Sequence, residues 1–147
     1  MGQLKRLIIH CTATPEGRPV SRKDIEQWHL VERGWRKVGY SDMIHLDGRI
    51  ENLIPHDYDD CVDSWEMSNG AKGFNGTSRH VVYVGGGKSK GIDTRTEAQK
   101  LALELYVKAF KHDHPKAKVI GHNEVNKYKD CPSFDVQAWL KTINVFR

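Results

Sequence analysis

The stretch GHNEVNKYKDCPSFD, residues 121–135, carries the two kinds of side chain that zinc favours most. His122 offers an imidazole nitrogen, and Cys131, nine residues later, offers a thiolate. The lysines and acids between them are too polar for a buried strand, so the segment is expected to lie in a loop. Because a tetrahedral zinc site needs at least three protein donors, a further ligand must come from elsewhere in the chain.

Two apolar runs of the same form each stop at a histidine, LIIH at His10 and KVIGH at His122. If the two strands are neighbours in a sheet, both imidazoles emerge at one edge. Loops at strand ends are favourable places for an active site, because the scaffold fixes the donors while the loops admit substrate. With Cys131 as third donor, one coordination position stays open, which is the catalytic arrangement of zinc.

The elements that must position these side chains begin with LKRLIIH, residues 4–10, a short buried strand followed by a polar loop. Ser21 and Asp24 resemble a capping box, apolar residues follow at helical spacing, and Gly34 provides a stop. This pattern predicts a first helix over residues 21–33.

A hairpin is predicted over residues 42–53, because Asp47-Gly48 suits a type I′ turn. Residues 55–77 are rich in Asp, Asn and Gly without a sustained period, which predicts a long surface loop. The β-branched run at residues 80–87 ends in glycines and predicts a central strand.

Thr94 with Glu97 predicts the cap of a long amphipathic helix that runs through Leu101, Leu105 and Phe110. KVIGH gives another strand, and a last helix is expected to start near Ser133. The alternation of strands and helices predicts an α/β fold, a sheet covered by helices.

Composition limits the possible partners and compartment. The 147 residues, 38% of them hydrophobic, fit one domain, and the +4 charge is spread along the chain without a nucleic-acid motif. No apolar run of about 18 residues or signal-peptide pattern occurs. The odd number of cysteines, three, favours free thiols or metal ligation in a reducing compartment. We therefore expect a cytoplasmic monomer with no nucleic-acid or membrane partner.

Motifs along nearly the whole chain carry a family resemblance: IIHCTAT, IEQWH with GW, VGY, LDG, AKGFN, VGG, GHNEV and CPSFD. Together they resemble the zinc-dependent N-acetylmuramoyl-L-alanine amidases of the type 2 amidase family, which includes phage lysozymes of the amidase kind and peptidoglycan recognition proteins. The resemblance implies one amidase domain over residues 1–147, with a central mixed β-sheet flanked by helices, like the peptidoglycan recognition proteins.

The resemblance also implies site residues and a substrate. His10, His122 and Cys131 would bind Zn²⁺, while Tyr40 and Lys129 would act on the substrate. That substrate is peptidoglycan, cut between the lactyl group of N-acetylmuramic acid and L-alanine. The simplest biological interpretation is a phage or prophage endolysin that is made in the cytoplasm and acts at the cell wall.

The chemistry of these side chains agrees with the implied roles. Lys129 beside the metal would stabilise an oxyanion, and Tyr40 would orient water or relay a proton. Other roles stay open: Tyr40 as a hydrogen-bonding anchor of the hairpin, and Lys129 as a solvated loop residue. Glu124 is either a general base or, beside His122, a structural acid.

The remaining histidines and cysteines are assigned ordinary roles. Cys11 is interpreted as a small buried hydrophobe and Cys61 as a loop thiol. The following residues are interpreted as hydrogen-bonded polar side chains: His29, His45, His56, His80, His112 and His114.

The chain departs from the family at three positions. Ser41 and Asp42 follow VGY where members commonly continue with a histidine, and Gly70 stands where a histidine often precedes AKG. These changes are expected near the cleft, affecting subsite and rate more than reaction type. Residues 56–68, longer and more acidic than in compact phage enzymes, are expected to shape a stem-peptide subsite.

Two other functions are alternatives to an amidase. A non-catalytic muropeptide-binding module is one, since some relatives have lost a zinc ligand; the presence of Cys131 argues against it. A protein-interaction or inhibitor role is the other, favoured by the basic charge and the acidic loop but by no positive motif.

Overall fold

A five-stranded mixed sheet carries the site, in the computed structural model that describes residues 2–87 and 92–145. Its strand order is β4-β3-β6-β2-β7, in which β3, β6, β2 and β7 run parallel and only β4 is antiparallel. A separate two-stranded sheet pairs β1 with β5. The strands are β1 Gly2–Gln3, β2 Arg6–Cys11, β3 Asp42–Ile44, β4 Ile50–Asn52, β5 Cys61–Val62, β6 Ser78–Tyr83 and β7 Lys118–Gly121; the α-helices are α1 Arg22–Glu26, α2 Glu97–Asp113 and α3 Val136–Thr142.

The two faces of the sheet are covered by different helices. On one face, α2 and α3 pack against alternate residues of β2 and β6, such as Ile9 and Val81. On the other face, Ile25 of α1 packs with Val82, the next residue along β6. This alternation is the period of two expected of strands buried on both sides, and it confirms the α/β prediction.

The first helix confirms its predicted cap. The Ser21 hydroxyl accepts from the Asp24 amide at 3.1 Å, and the Asp24 carboxylate accepts from the Ser21 amide at 2.9 Å. The α-helical part is followed by a π-helical segment, Gln27–Glu32, and Gly34 then adopts φ +69°. This segment brings His29 into the buried interior.

The hairpin is confirmed, but the predicted turn type is wrong. A type I′ turn needs positive φ at both central residues, whereas Gly48 has φ +88° and Asp47 does not. The Gly48 amide donates to the His45 carbonyl at 2.9 Å, and the His45 amide donates to the Arg49 carbonyl at 2.8 Å. These bonds describe a three-residue loop that ends in a left-handed glycine.

The predicted cap of α2 is displaced by two residues. Thr96 is the N-cap, and it exchanges hydrogen bonds with Gln99 at 3.0 and 2.9 Å. Thr94 instead accepts a hydrogen bond from the Gly86 amide at 2.7 Å, so its hydroxyl is committed to the loop after β6. Glu97 is therefore the first helical residue and not the reciprocal partner of Thr94.

The buried face of α2 also differs from the prediction. Leu101 and Leu105 are 58% and 59% exposed, whereas Leu103, Val107 and Phe110 form the buried stripe. Phe110 alone of the predicted trio faces the core. Leucines lie on both the buried and the exposed face of α2, so the apolar pattern alone did not show which face is buried.

Residues 55–77 are more ordered than the predicted surface loop. They contain β5 and two short 3₁₀ helices, Ser64–Glu66 and Asn75–Thr77. The buried carboxylate of Glu66 accepts from the Asp57 and Asp63 amides, both at 2.9 Å. The acidic side chains thus satisfy backbone donors of the turns, as Asp and Glu commonly do at caps.

The last helix begins after its predicted start. Asp135 is its N-cap and accepts from the Ala138 amide at 3.0 Å, while Ser133 precedes the helix with φ +70°. Within residues 2–87 and 92–145, none of the helices combines the length and apolar character needed to cross a lipid bilayer.

Candidate metal centre

A cleft of about 940 Å³ opens where β2 and β7 end. His10 near the end of β2 and His122 just after β7 both border it, since the two parallel strands are direct neighbours. The opposite walls come from residues 69–73 and from the loop that contains Lys129 and Cys131. The predicted meeting of the two strand-end histidines is therefore confirmed.

Three potential ligands converge in this cleft. The ligand atoms of His10, His122 and Cys131 all lie within 4.8 Å of one another. The Cys131 sulfur is 3.7 Å from His10 Nδ1, and the His10 and His122 rings are 4.7 Å apart between centroids. A loop thiol and two strand-end imidazoles thus surround one point.

The geometry fits a zinc ion. Zinc bonds of about 2.1 Å to nitrogen and 2.3 Å to sulfur, at a tetrahedral angle, separate the two donors by about 3.6 Å. The 3.7 Å between His10 Nδ1 and Cys131 Sγ agrees with this separation. Two imidazoles and a thiolate also form a donor set that suits zinc. The cluster can hold a metal ion.

The histidines of the cleft are held neutral, the form in which imidazole binds metals. Burial lowers the pKa of His10 well below its usual value, and His80 and His122 add to the effect. Burial and the nearby Lys129 charge lower the pKa of His122. Burial also lowers the pKa of His29 to about 4 and that of His80 to about 3.

The thiol of Cys131 lies beside the backbone of β2. The Cys11 amide donates to its sulfur at 3.2 Å. The Cys11 side chain and burial raise the pKa of Cys131, while the Cys11 amide and the charge of Lys129 lower it. Because a metal requires the thiolate, metal binding here must release a proton. Cys11 itself is buried, as predicted, whereas Cys61 is an exposed residue of strand β5 and not the predicted loop thiol.

Tyr40 and Lys129 border the same cleft. The Tyr40 ring lies 5.3 Å from the His10 ring and 5.3 Å from the His29 ring, between centroids. Burial raises the pKa of Tyr40, so its hydroxyl stays protonated at neutral pH. Lys129 is an exposed loop residue whose amide donates to the Asn126 carbonyl at 3.0 Å.

His80 is hydrogen-bonded, as expected, but its position next to His10 was not predicted from the sequence. This residue is fully buried, and its Nδ1 lies 2.8 Å from His10 Nε2. In the register of the parallel strands, His80 pairs with Ile8, so it shares a sheet face with Ile8 and His10. The sequence feature that could have indicated this position is a histidine at the start of the apolar strand β6. Its contact with His10, however, depends on the register between β2 and β6.

The other polar side chains form hydrogen bonds, as expected of the histidines. Glu124 accepts from the Gly121 amide at 2.7 Å and from the Gln137 side chain, a structural role at the start of a turn. Four of the remaining histidines pair with carboxylates: His45 with Glu51, His56 with Asp42, His112 with Asp113, and His114 with Asp60.

The departures from the family pattern fall in two places. Gly70 borders the cleft, as expected. Ser41 and Asp42 are buried in polar networks, Ser41 against Ser68 and Asp42 against His56, and neither borders the described cleft. Residues 56–68 likewise do not border the described cleft, whereas residues 69–73 do, so a subsite shaped by residues 56–68 stays a prediction.

Comparisons with known proteins identify the family of the chain. The sequence model of the family described as N-acetylmuramoyl-L-alanine amidase matches residues 1–134. An endolysin of Enterobacteria phage K11 is 36% identical over 142 residues, covering 95% of this chain and 87% of that relative.

Solved structures show the same fold. The Ph2119 endolysin from a Thermus scotoductus bacteriophage superimposes with a TM-score of 0.77 at 20% identity, covering 99% of this chain and 87% of its own. The amidase LysC from Clostridium intestinale gives a TM-score of 0.77 at 18% identity, covering 99% and 88%. The chain therefore belongs to the N-acetylmuramoyl-L-alanine amidase family.

Proposed function

We propose that residues 1–147 form one zinc-dependent amidase domain that cleaves the bond between N-acetylmuramic acid and L-alanine in peptidoglycan. Amidase activity on peptidoglycan follows from the family. The observation that carries the finer assignment is the convergence of His10, His122 and Cys131 in one cleft with Tyr40 and Lys129. The endolysin relatives support a phage or prophage origin and action at the cell wall.

His10, His122 and Cys131 would hold the zinc. When bound, zinc activates water as a nucleophile and polarises the carbonyl under attack. The protein's contribution is to keep both imidazoles neutral by burial, and to place the Cys11 amide on the thiolate sulfur at 3.2 Å. These features support a tightly held catalytic cation.

Lys129 is assigned to the oxyanion of the tetrahedral intermediate. Its charge acts on both His122 and Cys131, which supports a position close to the reacting carbonyl. An ammonium in place before the reaction stabilises the charge that develops there, and it costs little reorganisation. Exposure of Lys129 on a loop leaves its side chain free to reach the substrate.

Tyr40 is assigned to the attacking water. Its protonated hydroxyl can donate a hydrogen bond or relay a proton, and its ring lies 5.3 Å from that of His10. Packing of the ring between His10 and His29 limits its rotation. The side chain is thereby held at the metal side of the cleft.

Further cleft residues suit an anionic substrate. Arg33 and Lys72 border the cleft, and the Arg33 guanidinium lies 5.2 Å from the Trp35 ring centroid. Peptide stems of peptidoglycan carry free carboxylates, which cations in a partly enclosed cleft attract. Trp35 adds an apolar surface for the sugar or peptide.

Product analysis of digested peptidoglycan tests this proposal. Purified wall incubated with the protein should release new L-alanine amino termini without new reducing sugars. Appearance of reducing sugars would indicate a glycosidase, and binding to the wall with no new termini would indicate the non-catalytic alternative. Either result would contradict the proposed function.

A further inference from the structure

His80 stands directly behind the proposed ligand His10. It is fully buried on β6, and the two rings lie 5.0 Å apart between centroids. Room for its ring depends on Gly70, because a Cβ at position 70 would lie 2.5 Å from His80 Nδ1 and 2.6 Å from the Gly39 carbonyl oxygen. The backbone of the loop before Ala71 is thus shaped around this imidazole.

The hydrogen bonds around His80 have a defined direction. The Ala71 amide donates to Asn75 Oδ1 at 2.9 Å, so the atom in that position must be the amide oxygen and not the nitrogen. His80 Nε2 lies 3.0 Å from the same oxygen and must therefore donate to it. A neutral His80 then has its lone pair on Nδ1, 2.8 Å from His10 Nε2.

This lone pair decides the tautomer of His10. His10 Nε2 must carry the proton and donate it to His80 Nδ1, which leaves the lone pair of His10 on Nδ1. Nδ1 is the atom that lies 3.7 Å from the Cys131 sulfur. The two hydrogen-bond partners of the His80 ring, His10 and Asn75, carry no negative charge. The hydrogen-bond chain from His10 through His80 to Asn75 is therefore consistent with two neutral imidazoles.

We propose that His80, oriented by Asn75, is a positioning residue that holds His10 in its metal-binding tautomer and orientation. The inference rests on the proposed metal site. A metal-bound histidine usually donates its other ring proton to a carboxylate, a carbonyl or water. Here the acceptor of the His10 ring proton is the imidazole of His80. His80 in turn donates to Asn75, a residue that borders the cleft.

Zinc affinity, measured by competition with a chromophoric chelator, tests the proposal without relying on activity. His80→Leu removes the acceptor of His10 and should weaken zinc binding about 10- to 100-fold, the usual cost of losing such a partner. The matched control is His114→Leu, which removes a buried imidazole that is bonded to Asp60 in another part of the fold. This control should retain wild-type affinity.

Asn75 provides a second test that leaves the strands intact, should His80→Leu fail to fold. Asn75→Asp keeps an acceptor for both the Ala71 amide and His80 Nε2, and it should bind zinc within about threefold of wild type. Asn75→Leu loses the acceptor and should bind zinc more weakly than Asn75→Asp. The absorption spectrum of the cobalt-substituted protein should shift in Asn75→Leu and keep its wild-type form in Asn75→Asp.

The outcomes separate this inference from the metal site itself. Zinc affinity of folded His80→Leu equal to that of the control, or equal affinities of Asn75→Leu and Asn75→Asp, would overturn the positioning role alone. Failure of the wild-type protein to bind zinc at all would overturn the metal site and this inference with it.

Discussion

Replacing Lys129 by alanine should slow catalysis strongly and leave the fold unchanged. The side chain is exposed, so its removal should alter the free energy of unfolding by no more than about 0.5 kcal/mol. Loss of one preorganised oxyanion donor typically lowers turnover by about 100- to 1,000-fold. Because this lysine reaches the cleft from solvent, we expect the lower end, about 100-fold or 2.7 kcal/mol.

Lys127→Ala is the matched control for this variant. Lys127 is exposed on the same loop, two residues earlier, and its ammonium lies 5.3 Å from the Tyr128 ring centroid. Both substitutions change the net charge from +4 to +3, so general attraction to an anionic wall falls equally. A deficit in Lys129→Ala alone is therefore local to the cleft.

The assay is the initial rate of release of L-alanine amino termini from a soluble muropeptide under saturating conditions. Zinc content and melting temperature of each variant are measured in parallel. Turnover of Lys129→Ala within about threefold of wild type, a difference below about 1 kcal/mol, would refute the assignment. An equal loss in Lys127→Ala would attribute the effect to net charge.

Three further predictions concern the metal, the hydroxyl and acid stability. Cys131→Ala should abolish stoichiometric zinc in elemental analysis, whereas Cys61→Ala, at an exposed position of β5, should retain it. Tyr40→Phe should lower turnover with unchanged zinc content and melting temperature; a drop in melting temperature with a normal rate would instead identify a structural anchor. The pKa of buried His29 is about 4 against about 6.5 when unfolded, so protons favour the unfolded chain and stability is lost as pH falls from about 6.5 to 4. His29→Asn keeps an acceptor for the Gly39 amide, and urea unfolding at pH 7 and pH 5 should show a loss up to about 2 kcal/mol smaller than in wild type; equal losses would contradict this.

The sequence predicted the start of a helix correctly where the hydrogen bonds that cap the helix lie within a few neighbouring residues. The Ser21 capping box is complete within four residues, and the first helix begins where it predicts. At the start of α2, the sequence contains two overlapping candidates, Thr94 with Glu97 and Thr96 with Gln99. Thr96 is the N-cap because the Thr94 hydroxyl already accepts a hydrogen bond from the amide of Gly86, eight residues earlier in the chain.

The site was predictable to the extent that it follows from strand ends. His10 and His122 terminate similar apolar runs, and parallel neighbours place such residues at one edge. The role of His80 was not predictable, because it depends on the register of β2 with β6 and on the missing Cβ of Gly70. The short elements within residues 55–77 were not predicted either. Their acidic residues indicated a surface loop, whereas carboxylates such as that of Glu66 accept hydrogen bonds from local backbone amides.

Zinc titration of metal-free protein tests the central claim most directly. Chelator-treated protein should release no L-alanine amino termini from peptidoglycan, and added zinc should restore the rate in proportion until one equivalent per chain is bound. This result is predicted because His10, His122 and Cys131 form one cluster whose geometry fits one zinc ion. Full activity of the metal-free protein, or bound zinc that restores no activity, would contradict the account.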